Sequence, residues 1–332
     1  MLLAVLMSAG LTLLVRRYAL SRGVFDHPNA RSSHSHPTPR GGGMSIVIVV
    51  SIASALLICR DTSGALPWAI LSGGLAVAVV GYLDDRSSLP VGVRMVVHVA
   101  SAGLAVFLLD GMPPIQWGAA VIHLGFWGDV LAVFALVWML NLFNFMDGID
   151  GIAASEAAFV AAAGAGSCWV MGIHSPTSAT AAAVAAASLG FLLWNWPPAK
   201  IFMGDVGSGY LGYVIGVLAL AAAREDPAAL WTWVILGGVF LVDATVTLAR
   251  RTARGERVYE AHRSHAYQWL ARRWSSHKRV TLSVMAVNVL WLLPCAYFAA
   301  LRPQLAAWTA LVALTPLVIA AVAAGAGQRE SS

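Results

Sequence analysis

The sequence predicts an all-α protein, a single domain over residues 1–332, that crosses a membrane with about eleven helices. Of its 332 residues, 59% are hydrophobic and only 11% are charged, and the mean hydropathy is +0.74. A soluble globular domain carries about 25% charged residues, so soluble, disordered and coiled-coil classes are excluded. The three cysteines, Cys59, Cys168 and Cys295, lie singly in apolar stretches, which excludes a disulfide scaffold.

Eleven apolar runs come close to the roughly 20 residues that a helix needs to cross a bilayer. They are 2–20, 44–59, 66–83, 92–109, 127–146, 152–172, 178–194, 208–223, 229–249, 280–300 and 305–325. Residues 113–126 are too short and too rich in Pro and Gly to span, so we expect an interfacial hairpin there. The first run lacks a basic segment before it, which predicts a retained helix rather than a cleaved signal peptide.

Basic residues are distributed unequally between the two sides of the predicted membrane domain. If successive runs cross in alternating directions, 18 of the 21 Lys and Arg residues fall on one side. Cytoplasmic loops carry the excess of Lys and Arg, so we predict an external N-terminus and a cytoplasmic C-terminus. The predicted cytoplasmic loops are 21–43, 84–91, 147–151, 195–207 and 250–279. This asymmetry explains the net charge of +5, and no nucleic-acid partner is predicted.

Acidic residues cluster at the cytoplasmic ends of three predicted spans. The chain has only 16 Asp and Glu residues, and five follow the third, fifth and seventh spans: Asp84, Asp85, Asp147, Asp150 and Asp205. Carboxylates gathered at one membrane face are unfavourable unless a cation holds them together. Carboxylate and Asn oxygens suit a hard divalent ion, Mg²⁺ or Mn²⁺. Because Mg²⁺ is usually bound by one or two carboxylates plus substrate phosphates, this pattern indicates a phosphorylated substrate.

The segment 141–151 repeats polar residues at a helical spacing. Asn141, Asn144 and Asp147 are three residues apart, so they follow one side of a helix. The glycine that follows Asp147 allows the chain to turn and a ligand to approach the backbone. An ordinary polar helix end is the alternative, but it does not explain two Asn and two Asp within so short a segment.

A glycine-rich segment precedes the eighth span. Residues 203–209 read Met-Gly-Asp-Val-Gly-Ser-Gly, with Asp205 close to the start of the helix. Backbone N–H groups and the helix dipole attract phosphate at such a position, and an aspartate there suits a metal-bridged phosphate. A helix cap without catalytic function is the alternative interpretation.

Two basic loops on the same side of the membrane carry histidine. One contains Arg40, and the other contains His262, Arg263 and His265. These side chains are natural donors to phosphate oxygens, although a loop arginine can also serve only to orient the protein. Asp243, inside the ninth span, is a minor candidate because an acid is unfavourable there.

The order of these motifs resembles one family along essentially the whole chain. The matching pieces are Pro39-Arg40-Gly41-Gly42, Asp84-Asp85, Asn141-x-x-Asn144-x-x-Asp147-Gly-Ile-Asp150-Gly, Pro198-Ala-Lys200-Ile-Phe202-Met-Gly-Asp205-Val-Gly-Ser208 and the loop with His262 and His265. They resemble the polyprenyl-phosphate N-acetylhexosamine-1-phosphate transferases, glycosyltransferase family 4. That superfamily includes the phospho-MurNAc-pentapeptide translocase and the undecaprenyl-phosphate GlcNAc-1-phosphate transferase.

The resemblance implies a membrane enzyme that moves a HexNAc-1-phosphate from a UDP-sugar to polyprenyl (undecaprenyl) phosphate, giving polyprenyl-diphosphate-sugar and UMP. It implies Mg²⁺, with Asp205 and Asp147 as the residues that hold it. The pair Asp84 and Asp85 is implied in catalysis, as general base or covalent nucleophile. The residues implied to contact substrate are Arg40, Asn141, Asn144, Asp150, Asn195, Lys200, Phe202, His262, Arg263 and His265. The Phe202 ring would lie against the uracil.

The sequence of the histidine loop narrows the range of sugars that the resemblance implies. Residues 261–268 read Ala-His-Arg-Ser-His-Ala-Tyr-Gln, whereas the peptidoglycan translocase has a His-His-His-Phe-Glu type. This argues against MurNAc-pentapeptide and resembles the branch that initiates O-antigen or capsule glycans on GlcNAc, QuiNAc or FucNAc. The implied location is the bacterial cytoplasmic membrane, with the site on its cytoplasmic face. The oligomeric state stays open, a homodimer included.

Two other membrane classes are weaker alternatives. A transporter with an acidic cation site would hold it near the midplane, often between repeated halves, whereas these acids lie at one face and no internal repeat is found. A CDP-alcohol phosphotransferase would carry Asp-x-x-Asp-Gly-x-x-Ala-Arg. Here Asn144 stands at the first Asp, and Gly151-Ile152 replace Ala-Arg.

Overall fold

The computed structural model of the chain describes residues 1–26, 28, 36–60, 64–256 and 262–329. Two histidines of the first basic loop, at positions 27 and 34, lie outside these residues. The described part is all-α apart from two short hairpins, which confirms the predicted fold class. The helices are α1 Leu2–Arg22, α2 Met44–Cys59, α3 Ala65–Ser87, α4 Val91–Leu108, α5 Gly125–Met146, α6 Ile152–Val170, α7 Pro176–Asn195, α8 Asp205–Glu225, α9 Ala229–Leu236, α10 Gly238–Ala253, α11 Ala266–Trp274, α12 His277–Leu301 and α13 Pro303–Ala323.

Each of the eleven predicted spans coincides with helix. Among the described residues, nine helices are long and apolar enough to cross a membrane, and the pair α9–α10 makes a tenth if it is counted as one span. The eleventh, α2, is apolar but has only 16 residues. The chain is therefore a multi-pass membrane protein.

The ninth predicted span differs from the structure, because it is broken. Helices α9 and α10 meet at Gly237 with a bend of 73°. The next residue, Gly238, packs tightly: a Cβ there would lie 2.7 Å from the side chain of Leu314 in α13. Glycine permits such a close approach and a sharp bend, whereas hydropathy is continuous across the break and does not reveal it.

Two antiparallel hairpins complete the described structure. Strands β1 Phe25–Asp26 and β2 Thr38–Pro39 pair near the first basic loop. Strands β3 Ile115–Trp117 and β4 Ala120–Ile122 form the hairpin predicted between the fourth and fifth spans. Aromatic contacts attach this second hairpin to the helices, because the Trp117 ring lies 5.8 Å from that of Trp231 and 5.7 Å from that of Trp308.

Helix α8 lies at the centre of the molecule and is almost entirely buried. Its neighbours α3 and α5 approach it closely through glycine. A Cβ on Gly81 of α3 would lie 2.5 Å from the carbonyl oxygen of Asp205, and a Cβ on Gly212 of α8 would lie 2.3 Å from that of Met139. The first contact brings the end of α3, with its two aspartates, against the start of α8.

Candidate active site

The start of α8 is capped by a carboxylate from α3. Asp85 accepts a hydrogen bond from the backbone N–H of Asp205 at 2.9 Å and another from that of Val206 at 3.2 Å. The first N–H groups of a helix have no partner within it and favour a negative charge. The glycine-rich motif predicts a phosphate at the start of this helix. In the structure, the carboxylate of Asp85 accepts these two N–H groups instead.

Arg40 joins this carboxylate to the next one. Its Nη2 atom lies 2.7 Å from Asp85 Oδ1 and 2.8 Å from Asp205 Oδ1. The backbone fixes its place, because the N–H of Phe202 donates to the carbonyl of Pro39 at 2.8 Å. Burial alone would lower the pKa of the Arg40 guanidinium. The negative charges near it, chiefly Asp85 and Asp205, outweigh burial, so the pKa lies above its usual value. Arg40 therefore stays protonated among the acids.

Arg94 is a second cation in the site, and the sequence analysis did not single it out. Its Nη1 atom lies 2.5 Å from Asp84 Oδ2 and 3.8 Å from Asp205 Oδ2. The other oxygen of Asp84 accepts the backbone N–H of Leu89 at 2.6 Å. Both oxygens of Asp84 are therefore engaged. The signal in the sequence is an arginine near the start of the helix that follows the aspartate pair, but membrane orientation explains such an arginine equally well.

An apolar groove of about 650 Å³ ends at these charges. It runs between α3, α4 and α5, and valine and other apolar side chains form most of its walls. The lining also includes Asp84, Arg94, His98, Asn141, Asn144 and Asp205. Of these, Asp84, Arg94 and Asp205 contact one another at one end. A groove with this distribution suits an amphiphile that has a long apolar chain and an anionic head group.

The polar residues of α5 face the start of α8. The Asn144 side chain donates to Ser208 Oγ at 3.2 Å, while Asn141 donates to the carbonyl of Val137 in its own helix at 2.7 Å. Asp147 follows the end of α5. Burial, and next the charge of Asp205, raise the pKa of Asp147 well above its usual range. An added cation beside Asp147 would lower this pKa again.

The donor set fits a hard divalent ion. Two guanidinium groups, those of Arg40 and Arg94, lie among four carboxylates. These belong to Asp84, Asp85, Asp147 and Asp205, so two negative charges are left uncompensated if all four are ionised. Among the described residues, no group of three or more His, Cys, Asp and Glu side chains stands in a metal-binding arrangement. Mg²⁺ does not need one, because it usually takes one or two carboxylates together with substrate phosphates.

Asp150 and Asn195 organise the segment that leads into α8. Asp150 accepts the backbone N–H of Ala199 at 3.1 Å. Asn195, only 3% exposed, accepts the N–H of Gly151 and donates to the carbonyl of Ile201, both at 3.0 Å. These bonds connect the end of the 141–151 segment to residues 195–205, so the two sequence motifs form one unit.

A second, polar cleft of about 610 Å³ lies beside Asp150. Arg263 and Arg272 from the histidine loop and α11, and Lys278 from the start of α12, contribute cations to its lining. His277 lies 3.4 Å from Asp150 at the same cleft. The predicted site residues are therefore divided: Asp150 and Arg263 line this basic cleft, whereas the groove is lined by Asp84, Asp205, Asn141 and Asn144.

The two predicted loop histidines stack on each other. Their ring centroids are 5.0 Å apart, and the ring of Phe145 lies 6.5 Å from His262 and 6.2 Å from His265. His265 is buried, whereas His262 is partly exposed. Burial, with the nearby charges of His265 and Arg251, lowers the pKa of His262 to about 3. His262 is therefore neutral near pH 7.

Lys200 and Phe202 occupy different surroundings. The Lys200 ammonium lies over the Trp194 ring at 5.4 Å, and its carbonyl accepts from Arg16 of α1 at 3.2 Å. Phe202 has a partly exposed side chain, and its carbonyl accepts the N–H of Gly42 at 2.9 Å. The structure thus brings Phe202 to the Arg40 segment and places Lys200 against α1 and α7.

Comparisons with known proteins agree with this architecture. The sequence model of a family described as glycosyl transferase family 4 matches residues 67–223. The chain is 29% identical over 296 residues to the probable undecaprenyl-phosphate N-acetylglucosaminyl 1-phosphate transferase of Bacillus subtilis, with 85% of this chain and 79% of the relative covered. It is 30% identical to the decaprenyl-phosphate N-acetylglucosaminephosphotransferase of Mycobacterium tuberculosis, with 93% and 83% covered. The protein of the same name from Mycolicibacterium smegmatis is 29% identical, with 81% and 74% covered.

Proposed function

The chain belongs to glycosyl transferase family 4, and we propose that it transfers GlcNAc-1-phosphate from UDP-GlcNAc to undecaprenyl phosphate, releasing UMP. The observation that carries the proposal is the groove between α3, α4 and α5, which is mostly apolar and ends at Asp84, Arg94 and Asp205. The relatives are named for undecaprenyl or decaprenyl phosphate and for N-acetylglucosamine, which supports this choice of acceptor and sugar.

The polyprenyl chain would lie in the groove, with its phosphate at the charged end. Arg94 is the cation nearest to that end, and a guanidinium binds phosphate through several charge-assisted hydrogen bonds. Its present partners are the carboxylates of Asp84 and Asp205. The lipid phosphate would therefore compete with these carboxylates for Arg94, which places it beside the donor-binding residues.

The reaction is a direct displacement. An oxygen of the lipid phosphate attacks the β-phosphorus of UDP-GlcNAc, and the bond from that phosphorus to the bridging oxygen breaks, so that UMP leaves. A phosphate monoester has a second pKa near 6, so its oxygens need little help from a base at neutral pH. Asp84 is a weak candidate for covalent attack, because Arg94 and the N–H of Leu89 engage its two oxygens. Asp85 holds the start of α8 in place.

The donor diphosphate would lie between Arg40, His262 and Arg263, with the uridine toward Asn144 and Phe202. Asp205 and Asp147 would hold Mg²⁺. When bound, this ion neutralises the diphosphate and makes UMP a better leaving group. Arg40 contributes a fixed positive charge at the same place, because it stays protonated between Asp85 and Asp205. Phosphoryl transfer depends chiefly on such positioning and charge neutralisation.

We place the site at the cytoplasmic face of the bacterial cytoplasmic membrane, where UDP-sugars are available. The support is the distribution of basic residues, 18 of 21 on the side that carries the aspartates. The product, a polyprenyl-diphosphate-sugar, would then be the starting unit of a cell-surface glycan such as an O-antigen or capsule.

A UMP-release assay tests the proposal. Purified protein is incubated with undecaprenyl phosphate, Mg²⁺ and a panel of UDP-GlcNAc, UDP-QuiNAc, UDP-FucNAc and UDP-MurNAc-pentapeptide. We expect release that needs the lipid, prefers UDP-GlcNAc, and is lost with EDTA and in Asp205→Asn. The matched control Asp226→Asn, at the other end of α8, should remain active. Absence of release with every donor, together with absence of UDP binding in a titration, would overturn the proposal and favour a transporter.

A further inference from the structure

Asp243, a minor candidate from the sequence, has a carboxylate with a defined set of partners in the structure. Asp243 lies in α10 and is only 5% exposed. Its Oδ1 atom accepts the backbone N–H of Ala266 at 2.9 Å, and Oδ2 accepts that of Tyr267 at 3.0 Å. These are the first two N–H groups of α11. A side chain of one helix thus caps the start of another.

The capped helix connects directly to the asparagine and aspartate motif of α5. Tyr267, which receives the cap through its N–H, donates its hydroxyl to the carbonyl of Phe145 at 2.9 Å. The same hydroxyl lies against Gly148, where an added Cβ would be 2.1 Å from it. Phe145 and Gly148 flank Asp147 in the sequence. A short path of hydrogen bonds therefore runs from Asp243 to the segment that carries Asp147.

The same carboxylate also lies next to the histidine loop. The Nδ1 atom of His265 is 3.4 Å from Asp243 Oδ1. His265 in turn stacks on His262, as described above. The carboxylate thus lies beside one ring of the stacked pair, and Thr247 of the same helix donates its hydroxyl to it at 3.1 Å.

We infer that Asp243 is a positioning residue, which fixes the loop of His262, Arg263 and His265 over the donor side of the site without touching substrate. The inference rests on the proposed function, because it names what the loop is positioned for. It also accounts for an acid in a membrane-crossing helix, which is unfavourable unless donors compensate it. Here two backbone N–H groups and a hydroxyl do so.

The test is kinetic and structural, with Asp243→Asn as the variant. The amide retains one acceptor oxygen but presents an N–H to the second backbone donor, so one capping bond is lost. We expect kcat/KM for UDP-GlcNAc to fall on the order of 10-fold or more, since small misplacements of positioning groups have effects of this size. The KM for undecaprenyl phosphate should change less, because neither Asp243 nor the residues of the histidine loop and α11 line the groove. Thr252→Val is the matched control: it lies near the end of the same helix, its hydroxyl donates to the carbonyl of Leu248 at 2.9 Å, and its loss should leave both unchanged.

Two further measurements separate positioning from general loss of structure. Hydrogen exchange at the amides of Ala266 and Tyr267 should accelerate in Asp243→Asn and not in Thr252→Val. Tyr267→Phe removes the hydrogen bond to the carbonyl of Phe145. Its effect on kcat/KM for UDP-GlcNAc should be non-additive with that of Asp243→Asn, because both substitutions act along one path.

The outcomes distinguish this inference from the proposed function. If the wild-type protein releases no UMP, the proposed function fails, while the exchange measurement still tests the cap. If the wild type is active and Asp243→Asn keeps its donor kinetics, the positioning inference is overturned. It is also overturned if Asp243→Asn raises the KM for UDP-GlcNAc and that for undecaprenyl phosphate equally. The same holds if the only effect of the variant is a smaller fraction of folded protein.

Discussion

In the proposed reaction, Arg94 would bind the phosphate of the lipid acceptor. It stands at the charged end of a mostly apolar groove and is shared by Asp84 and Asp205. We expect Arg94→Gln to raise the KM for undecaprenyl phosphate on the order of 10-fold or more, because a charge-assisted hydrogen bond contributes about 1.5–3 kcal/mol. The KM for UDP-GlcNAc should change little. Steady-state kinetics with each substrate varied in turn measure this.

Arg86→Gln is the matched control for Arg94. Arg86 carries the same charge on the same side of the membrane, but its guanidinium donates to the hydroxyl of Tyr18 at 3.1 Å and lies over the Tyr82 ring. Equal losses in the two variants would mean that general positive charge, rather than a defined contact, attracts the lipid.

The engaged oxygens of Asp84 lead to a second residue-level prediction. If the lipid phosphate attacks directly, no sugar-phosphate intermediate forms on the protein. Labelled UMP should therefore not exchange into UDP-GlcNAc when the lipid is absent. The positive control adds polyprenyl-diphosphate-GlcNAc, which permits exchange through the reverse reaction. Exchange without any lipid would instead require a covalent intermediate and a nucleophilic aspartate.

His262 gives the stability of the protein a pH dependence of known sign. Its folded pKa is about 3, below the unperturbed value near 6.5. Between these values the unfolded chain binds more protons, so stability rises with pH through this window and falls on acidification. We expect His262→Gln to flatten the fall of Tm between about pH 6.5 and pH 4.5. His123→Gln, in an exposed position, is the control; an unchanged slope for His262→Gln would contradict the prediction.

Sequence reasoning found most of the charged residues of this site but not their pairing. The aspartates and Arg40 stand out because charge is rare in this chain. Which aspartate caps α8 depends on how closely α3 approaches it, and that distance is not encoded in the local pattern around Asp85. Arg94 was missed for a related reason, since an arginine at a helix end already satisfies the rule for membrane orientation.

The crossing of α3 and α8 is the element-level feature on which the site depends. Gly81 allows backbone contact at this crossing, one turn before the aspartate pair. A methyl group there would lie 2.5 Å from the Asp205 carbonyl, which cannot move as a flexible side chain would. We expect Gly81→Ala to lower stability by about 1–3 kcal/mol, as overpacked cores do, and to reduce activity with it.

The matched control is Gly103→Ala in α4, where an added Cβ meets nothing within 4 Å. There the substitution should leave Tm unchanged or raise it slightly, because alanine favours helix more than glycine does. The Tm of each variant is measured by thermal unfolding in detergent, and its activity is measured separately by UMP release. A Gly81→Ala protein as stable and active as Gly103→Ala would show that the two helices can separate without consequence.

Helix existence was predictable, and helix irregularity was not. A run of about 20 apolar residues forms a helix in a bilayer, because its backbone N–H and C=O groups find no hydrogen-bond partners there except one another. The break between α9 and α10 leaves hydropathy unchanged and depends on packing of Gly238 against α13. Helix α11 lies within the predicted loop 250–279; its start is capped by a residue 23 positions away in the sequence, which no local pattern indicates.

At the scale of the whole molecule, the orientation in the membrane is the main prediction. In a cysteine-free background, Arg273→Cys lies in an exposed part of α11, and Ala119→Cys lies in the exposed turn between β3 and β4. We expect a membrane-impermeant maleimide to label Ala119→Cys in intact cells and Arg273→Cys only in inverted vesicles. The basic side should face the cytoplasm. The reverse labelling pattern would place the acidic site outside the cell.

The walls of the apolar groove have a consequence for how its occupancy is measured. Because they are formed by membrane-crossing helices, the lipid acceptor that we propose would reach the groove by diffusing within the bilayer. Its relevant concentration would be a mole fraction among lipids, not an amount per volume of water. Diluting this acceptor with inert lipid would lower occupancy, whereas diluting the vesicles in buffer would not. Its binding to the groove would thus be a two-dimensional equilibrium, set by surface density.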